Sequence, residues 1–169
     1  MKVAGAIVII IASYIIGYSR RSAMLLGEKI IGQFIHLIKE IKSSVEYGVG
    51  SLADLVASSA DKESYDKLTF LSKACASDEM HSSLSGALCT AFDGWEHSQT
   101  LSKDERAVVK TLLSDIGKSS SDGEISKLDF AAERLKASLE TRHEFNSHRR
   151  GYYETIYLLA GIAIAIIII

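Results

Sequence analysis

An all-α fold, an antiparallel helical bundle flanked by an N-terminal and a C-terminal transmembrane helix, is what this sequence predicts, on three observations. None of the 169 residues is proline, so every position keeps the backbone N–H that a helix ladder uses. Through the middle of the chain, apolar residues recur at three- and four-residue steps, the period of a helix with one buried face. Near the two ends, residues 3–19 and 155–169 carry no charge and are apolar on every face, which suits a lipid environment better than one side of a core.

The first apolar run covers residues 3–19 and is followed at once by Arg20 and Arg21. It predicts a short membrane span. A signal peptide is the alternative, because Lys2 supplies a positive start, but the only small-residue site downstream lies beyond the arginines and the run exceeds an ordinary signal core. The second run, residues 152–169, opens with Tyr152, Tyr153 and Tyr157 and ends in consecutive isoleucines. Tyrosines at its entrance suit the headgroup level, where amphipathic rings settle. A buried helix of a soluble protein is the alternative for runs of this length. Arg20, Arg21 and Lys29 follow the first run and Arg142, Arg149 and Arg150 precede the second, against Lys2 on the other side. Basic residues stay in the cytoplasm, so residues 22–150 are expected there and both termini across the membrane.

Within residues 22–150, Met24, Ile31, Ile38 and Val45 are spaced by seven, and Phe34 and Ile41 fill the steps between. This predicts an amphipathic helix. Its opposite face carries Lys29, Gln33, His36, Lys39, Glu40 and Ser43, and Gly48-Val49-Gly50 ends it, since glycine takes the left-handed C-terminal conformation. Ser51 with Asp54 caps a short helix through Leu52, Leu55 and Val56. Helices over residues 62–75 and 78–92 follow, then a connection at Gly94 and Trp95. Ser102 and Glu105 form a capping box for a helix through Val108, Val109, Leu112, Leu113 and Ile116 that stops at Gly117. Ser121 and Glu124 are read as another cap pair, opening a helix whose seam is Ile125, Leu128, Ala132, Leu135 and Leu139. The next seam positions are Arg142 and Asn146, so the apolar stripe is lost while the helix continues. The core is expected to include Ile31, Phe34, Ile38, Ile41, Val108, Leu112, Leu128 and Leu135.

The net charge is -2 with both signs interleaved, which lacks the basic footprint that nucleic acid selects. Cys75 and Cys89 match no zinc spacing or disulfide framework and are read as small core residues. Gly117-Lys118-Ser119 resembles the end of a phosphate loop, but Leu112 stands where that motif needs glycine. Glu140 and His143 have the spacing of one di-metal ligand pair, and a site of that kind needs two. No catalytic motif, metal site, cofactor or small-molecule substrate is evident. The chain is expected not to be an enzyme.

Specific residues resemble the stage III sporulation protein AB family of endospore-forming bacteria. They are Glu46-Tyr47-Gly48 with Leu52, Phe70, Trp95, Leu101 with Asp104, Ile116-Gly117-Lys118-Ser119, Leu135, Tyr157-Leu158 and Gly161. Two places depart from the usual pattern: Gly50-Ser51 replaces a proline, and Ser120 an acidic residue. That family is in turn similar to the F-type inner-membrane platform protein of type II secretion systems. The resemblance implies a non-catalytic scaffold in the bacterial cell membrane, part of the secretion-like channel between mother cell and forespore. Its bundle would face the mother-cell cytoplasm, with other channel proteins and a hexameric secretion-type ATPase as partners. The alternative is a membrane-anchored adaptor or sensor unrelated to sporulation, binding a small ligand between its helices. It would need a polar group in the apolar stripe, and the nearest candidate, His36, falls on the solvent face.

Two lengths locate a partner surface. The helix from Ser22 and the helix from Gly123 to Arg150 each span about 39 Å at roughly 1.5 Å per residue. The turns at residues 48–51 and 117–123 are therefore expected to meet at one end of the bundle, surrounded by Glu46, Asp54, Lys118 and Asp122. Those four are the candidate partner-binding residues, an ordinary solvated loop tip being the alternative.

Overall fold

The computed structural model describes residues 2–48, 50–118 and 120–168; within them, side chains 2–4, 6–10, 20, 81, 148–154, 161, 165, 167 and 168 are not described. The described residues form helices and turns without a strand. In order these are α1 (Lys2–Tyr47), α2 (Leu52–Ala60), a 3-10 turn (Glu63–Tyr65), α3 (Phe70–Cys75), a 3-10 turn (Asp78–His81), α4 (Leu84–Asp93), a 3-10 turn (Glu96–Thr100), α5 (Lys103–Asp115) and α6 (Ser121–Ile168). The chain divides into two compact units, one made of residues 1–28 and 141–169 and the other of residues 29–140.

In the unit of residues 29–140, the expected seam of α1 is buried: Ile30, Ile31, Phe34, Leu37, Ile38 and Ile41. Phe34 stands against Phe70, Phe92 and Trp95, with ring centroids 5.8, 6.3 and 6.0 Å away. Phe70 and Trp95 close the group at 5.3 Å. Aromatic pairs in such offset geometries contribute about 0.5–1.5 kcal/mol each beyond the area they bury, so this quartet is the centre of the core. Leu112, Leu128 and Leu135 are buried as expected. Val108 is not: its neighbour Val109 is buried and Val108 is half-exposed. Two adjacent valines are 100° apart on a helix, and the seam's own spacing to Leu112 and Leu113 left both admissible.

Residues 62–92 correct the expectation of two long helices. Each stretch is a 3-10 turn followed by a short α-helix. Ser77 and Ser83 cause the second division, each accepting a backbone N–H on its hydroxyl, from Glu79 at 3.2 Å and Gly86 at 3.2 Å. A capped start in mid-stretch competes with continuous helix. The Ser102–Glu105 box is present as read, with Glu105 Oε2 accepting the Ser102 N–H at 2.7 Å. Ser138 of α6 donates to the other oxygen of this buried carboxylate, tying the start of α5 to α6.

The polar face of α1 is not left to solvent throughout. Residues 62–67 lie across it: Lys29 Nζ and Gln33 Nε2 donate to Asp66 at 2.8 and 2.6 Å, Lys62 Nζ donates to Glu40, and the Tyr65 hydroxyl meets His36 Nδ1 at 2.7 Å. The Lys29 hydrogen bond, then the Gln33 amide, holds the Asp66 carboxyl well below the usual carboxylate range. Burial, then the Glu40 carboxylate, pushes the Tyr65 phenol upward. Burial raises Glu40 less than its Lys62 and Tyr65 hydrogen bonds lower it. Lys42 joins α1 to α6 through Asp129 at 2.8 Å, and this hydrogen bond raises the ammonium.

The other unit has the opposite surface. Ile11, Ile15, Ile16, Ile156, Leu159 and Ile166 are each more than half exposed. One of its polar contacts is made by Asn146, a position of the lost stripe: the residue is buried, and its Nδ2 donates to Glu28 Oε1 at 2.7 Å. His143 Nδ1 lies 3.5 Å from the second oxygen of Glu28. Among the described residues no helix is long and apolar enough to cross a membrane. The two runs expected to do so, residues 3–19 and 152–169, fall partly on side chains outside the described ones. Arg20 and Arg21 do not interrupt α1.

Candidate functional site

The two turns expected to meet do so. Residues 48 and 50 after α1 and Gly117 after α5 all have positive φ, 62°, 77° and 75°, the left-handed region that ends helices and that side chains with a Cβ avoid. They turn the chain sharply enough that the end of α1, the start of α2 and the start of α6 enclose a cavity of about 280 Å³. Ser44, Gly48, Leu52, Gly117, Ser121 and Glu124 are among its walls. A methyl group on Gly117 would stand 3.8 Å from Leu52, so the turns are in van der Waals reach.

The four candidate partner residues surround this cavity in sequence, and all four are exposed. Glu46 sits in the last turn of α1, 3.6 Å from Lys42. Asp54 is engaged locally: its N–H donates to Ser51 Oγ at 3.1 Å, and Ser51 Oγ donates to its carboxylate at 2.8 Å. Lys118 lies just beyond Gly117, and Asp122 lies in the first turn of α6, where its carbonyl accepts from Ser126 Oγ.

Sequence reading missed the residue at the centre. Glu124, read as a cap partner of Ser121, is 4 % exposed. Its Oε1 accepts the Gly117 N–H at 2.8 Å, so the carboxylate pins the α5–α6 turn. Its Oε2 is buried with no hydrogen-bond partner among the described residues. Leaving such an atom unsatisfied costs about 1–3 kcal/mol or more for a charged group. The available signal was Gly117 itself, since a glycine C-cap leaves an N–H that a nearby acid can take.

Other candidates resolve into structure. Among the described residues no cluster of His, Cys, Asp and Glu could hold a metal. Gly117-Lys118 is the C-terminal turn of α5, and Ser119 lies outside the described residues. Cys75 and Cys89 are half-buried, and burial raises both thiols, the reverse of what a thiolate nucleophile requires. An open apolar groove of about 380 Å³ between α5 and α6 includes Val108, Thr111 and the exposed Phe130.

A family model described as stage III sporulation protein AB matches residues 2–169. The chain belongs to the stage III sporulation protein AB family. Membership covers both units and the joined turns alike, so the cavity around Glu124 is part of a sporulation protein. No curated protein and no solved structure matched the chain.

Proposed function

We propose that this member of the stage III sporulation protein AB family is a non-catalytic membrane scaffold of the secretion-like channel between mother cell and forespore. It is anchored through residues 3–19 and 152–169 and presents residues 22–150 to the cytoplasm. The observation that carries the reading is the surface of the unit made of residues 1–28 and 141–169. Its large aliphatic side chains face outward, an arrangement that water penalises at about 25 cal/mol per Å² and that lipid does not. The sequence adds apolar stretches without charge, residues 3–19 and 155–169, with arginines on the side facing the middle of the chain. Similarity to the F-type platform protein of type II secretion suggests the mode of action. The scaffold binds other channel proteins and a hexameric ATPase, and the tip bearing Glu46, Asp54, Lys118 and Asp122 is the contact surface. The adaptor alternative has the α5–α6 groove in its favour, but those walls are largely apolar and lack a set of converging polar groups to orient a ligand.

Two experiments test this. A cysteine beside Met1 should react with an impermeant thiol reagent on intact cells, and one replacing the exposed Glu133 should not; reversed labelling rejects the topology. In sporulating cells, the chain with E46K, D54K, K118E and D122K together should fail to recover the ATPase in a pull-down. Normal recovery at normal abundance removes the tip from the reading.

A further inference from the structure

We infer that the cavity at the joined turns receives an arginine side chain of a partner protein, with Glu124 as the anion it meets. This rests on the scaffold reading above and names the chemistry of its contact.

Three features of the cavity favour a cation that donates several hydrogen bonds. The first is Glu124 Oε2, a buried acceptor without a partner among the described residues, on a side chain fixed in place by its other oxygen at Gly117. The second is the end of α1: Ser44 and Val45 belong to its last turn and line the space, and a helix C-terminus carries about half a negative charge. The third is the charge of exposed residues within two positions of the lining in sequence, where Glu46, Asp54 and Asp122 outnumber Lys118.

A metal ion is a poor occupant, because Glu124 is the only carboxylate among the cavity's described lining residues. An anion would meet the carboxylate directly. A lysine ammonium supplies charge but is a compact point donor. A guanidinium has five N–H donors in a planar fork. Its fork offers donors for Oε2 and for the hydroxyls of Ser44 and Ser121, two residues of the cavity wall. A guanidinium is also less strongly hydrated than an ammonium, so it enters a partly closed space at lower cost. Entry would satisfy a buried carboxylate oxygen that has no partner among the described residues.

The test needs no knowledge of the partner. The full chain, labelled with ¹⁵N-glycine and held in detergent micelles, is titrated with L-arginine amide, and the Gly48, Gly50 and Gly117 amide signals are followed. L-citrulline amide, alike in shape and in its α-amino group but with an uncharged ureido side chain, is the control probe. We expect saturable shifts with arginine amide, led by Gly117, none with citrulline amide, at least about tenfold weaker binding in E124Q, and unchanged binding in E133Q, an exposed α6 position outside the cavity lining. Absent or non-saturable shifts, equal shifts with both probes, or full binding by E124Q overturns the inference. If E124Q loses helical structure, S44L decides instead: it fills the cavity and leaves Glu124 in place, so lost binding supports the inference and retained binding overturns it. Failure of the scaffold reading would appear in ATPase recovery from cells, whereas this titration reads the cavity alone.

Discussion

Residues 29–140 and the unit formed by residues 1–28 and 141–169 are both helical, yet they sort their apolar side chains in opposite directions. Every buried hydrophobic among the described residues, from Ile30 to Leu135, lies in the first of these. Of the large hydrophobics that are exposed, all but Tyr47 and Phe130 lie in the second. Backbone structure therefore does not distinguish the units; the side on which their apolar side chains lie does. A helix that hides one stripe needs neighbours, and residues 29–140 supply them through short helices ended by serine caps and glycine turns. A helix that is apolar all round needs an apolar medium instead. Polar contacts within each unit differ as well: in residues 29–140 a latch lies over α1, and in the other unit Asn146 donates to Glu28.

The strongest way to break this contrast is to truncate matched side chains in the two units. Phe34→Ala should destabilise the helical unit by about 3–5 kcal/mol and Leu135→Ala by about 2–5 kcal/mol, since both are buried. The exposed Ile15→Ala should leave the same unfolding transition unmoved. Thermal unfolding followed by circular dichroism checks all three, and equal effects would dissolve the distinction.

Glu105→Ala should cost less, about 1–3 kcal/mol, through the lost cap and the unpaired Ser102 N–H and Ser138 hydroxyl. Glu105→Gln should recover part of that loss in chemical denaturation, because it keeps an acceptor.

A smaller effect sharpens the account of the latch. Asp66 titrates lower in the folded chain than in the unfolded one. Its contribution is thus complete above the unfolded value of about 4 and is lost as pH falls toward the folded value. Its side chain is 38 % exposed, so screening holds the effect to about 1 kcal/mol or less. Asp66→Asn should lower stability at pH 6 and flatten the further loss between pH 6 and pH 3. An unchanged slope would show that the latch is not electrostatic.

The smallest effect belongs to the tip, where Asp122→Asn should change stability by no more than about 0.5 kcal/mol.

How far these features were legible depended on their range in sequence. The seam of α1 was readable because Ile31, Phe34, Ile38 and Ile41 repeat with the helix period, and the α5 cap because Ser102 and Glu105 are three apart. Convergence of the two glycine turns followed from helix length alone. The latch was not readable, since pairing Asp66 with Lys29 and Gln33 depends on where residues 62–67 fold back. The choice between Val108 and Val109 likewise waited on the position of α4. Glu124 was misread because a cap pairing three residues apart competed with a bond to Gly117, seven residues earlier, and only the tight turn decides between them.

The contrast itself is tested most directly by asking which medium each unit meets. In proteoliposomes, with Cys75 and Cys89 replaced by serine, a nitroxide is attached at position 15, 162 or 133 after substitution by cysteine. Power-saturation electron paramagnetic resonance then compares collision with oxygen, which concentrates in lipid, and with a water-soluble nickel chelate. Positions 15 and 162 are expected to favour oxygen and position 133 to favour the chelate. Chelate access at 15 and 162 equal to that at 133 would contradict the contrast.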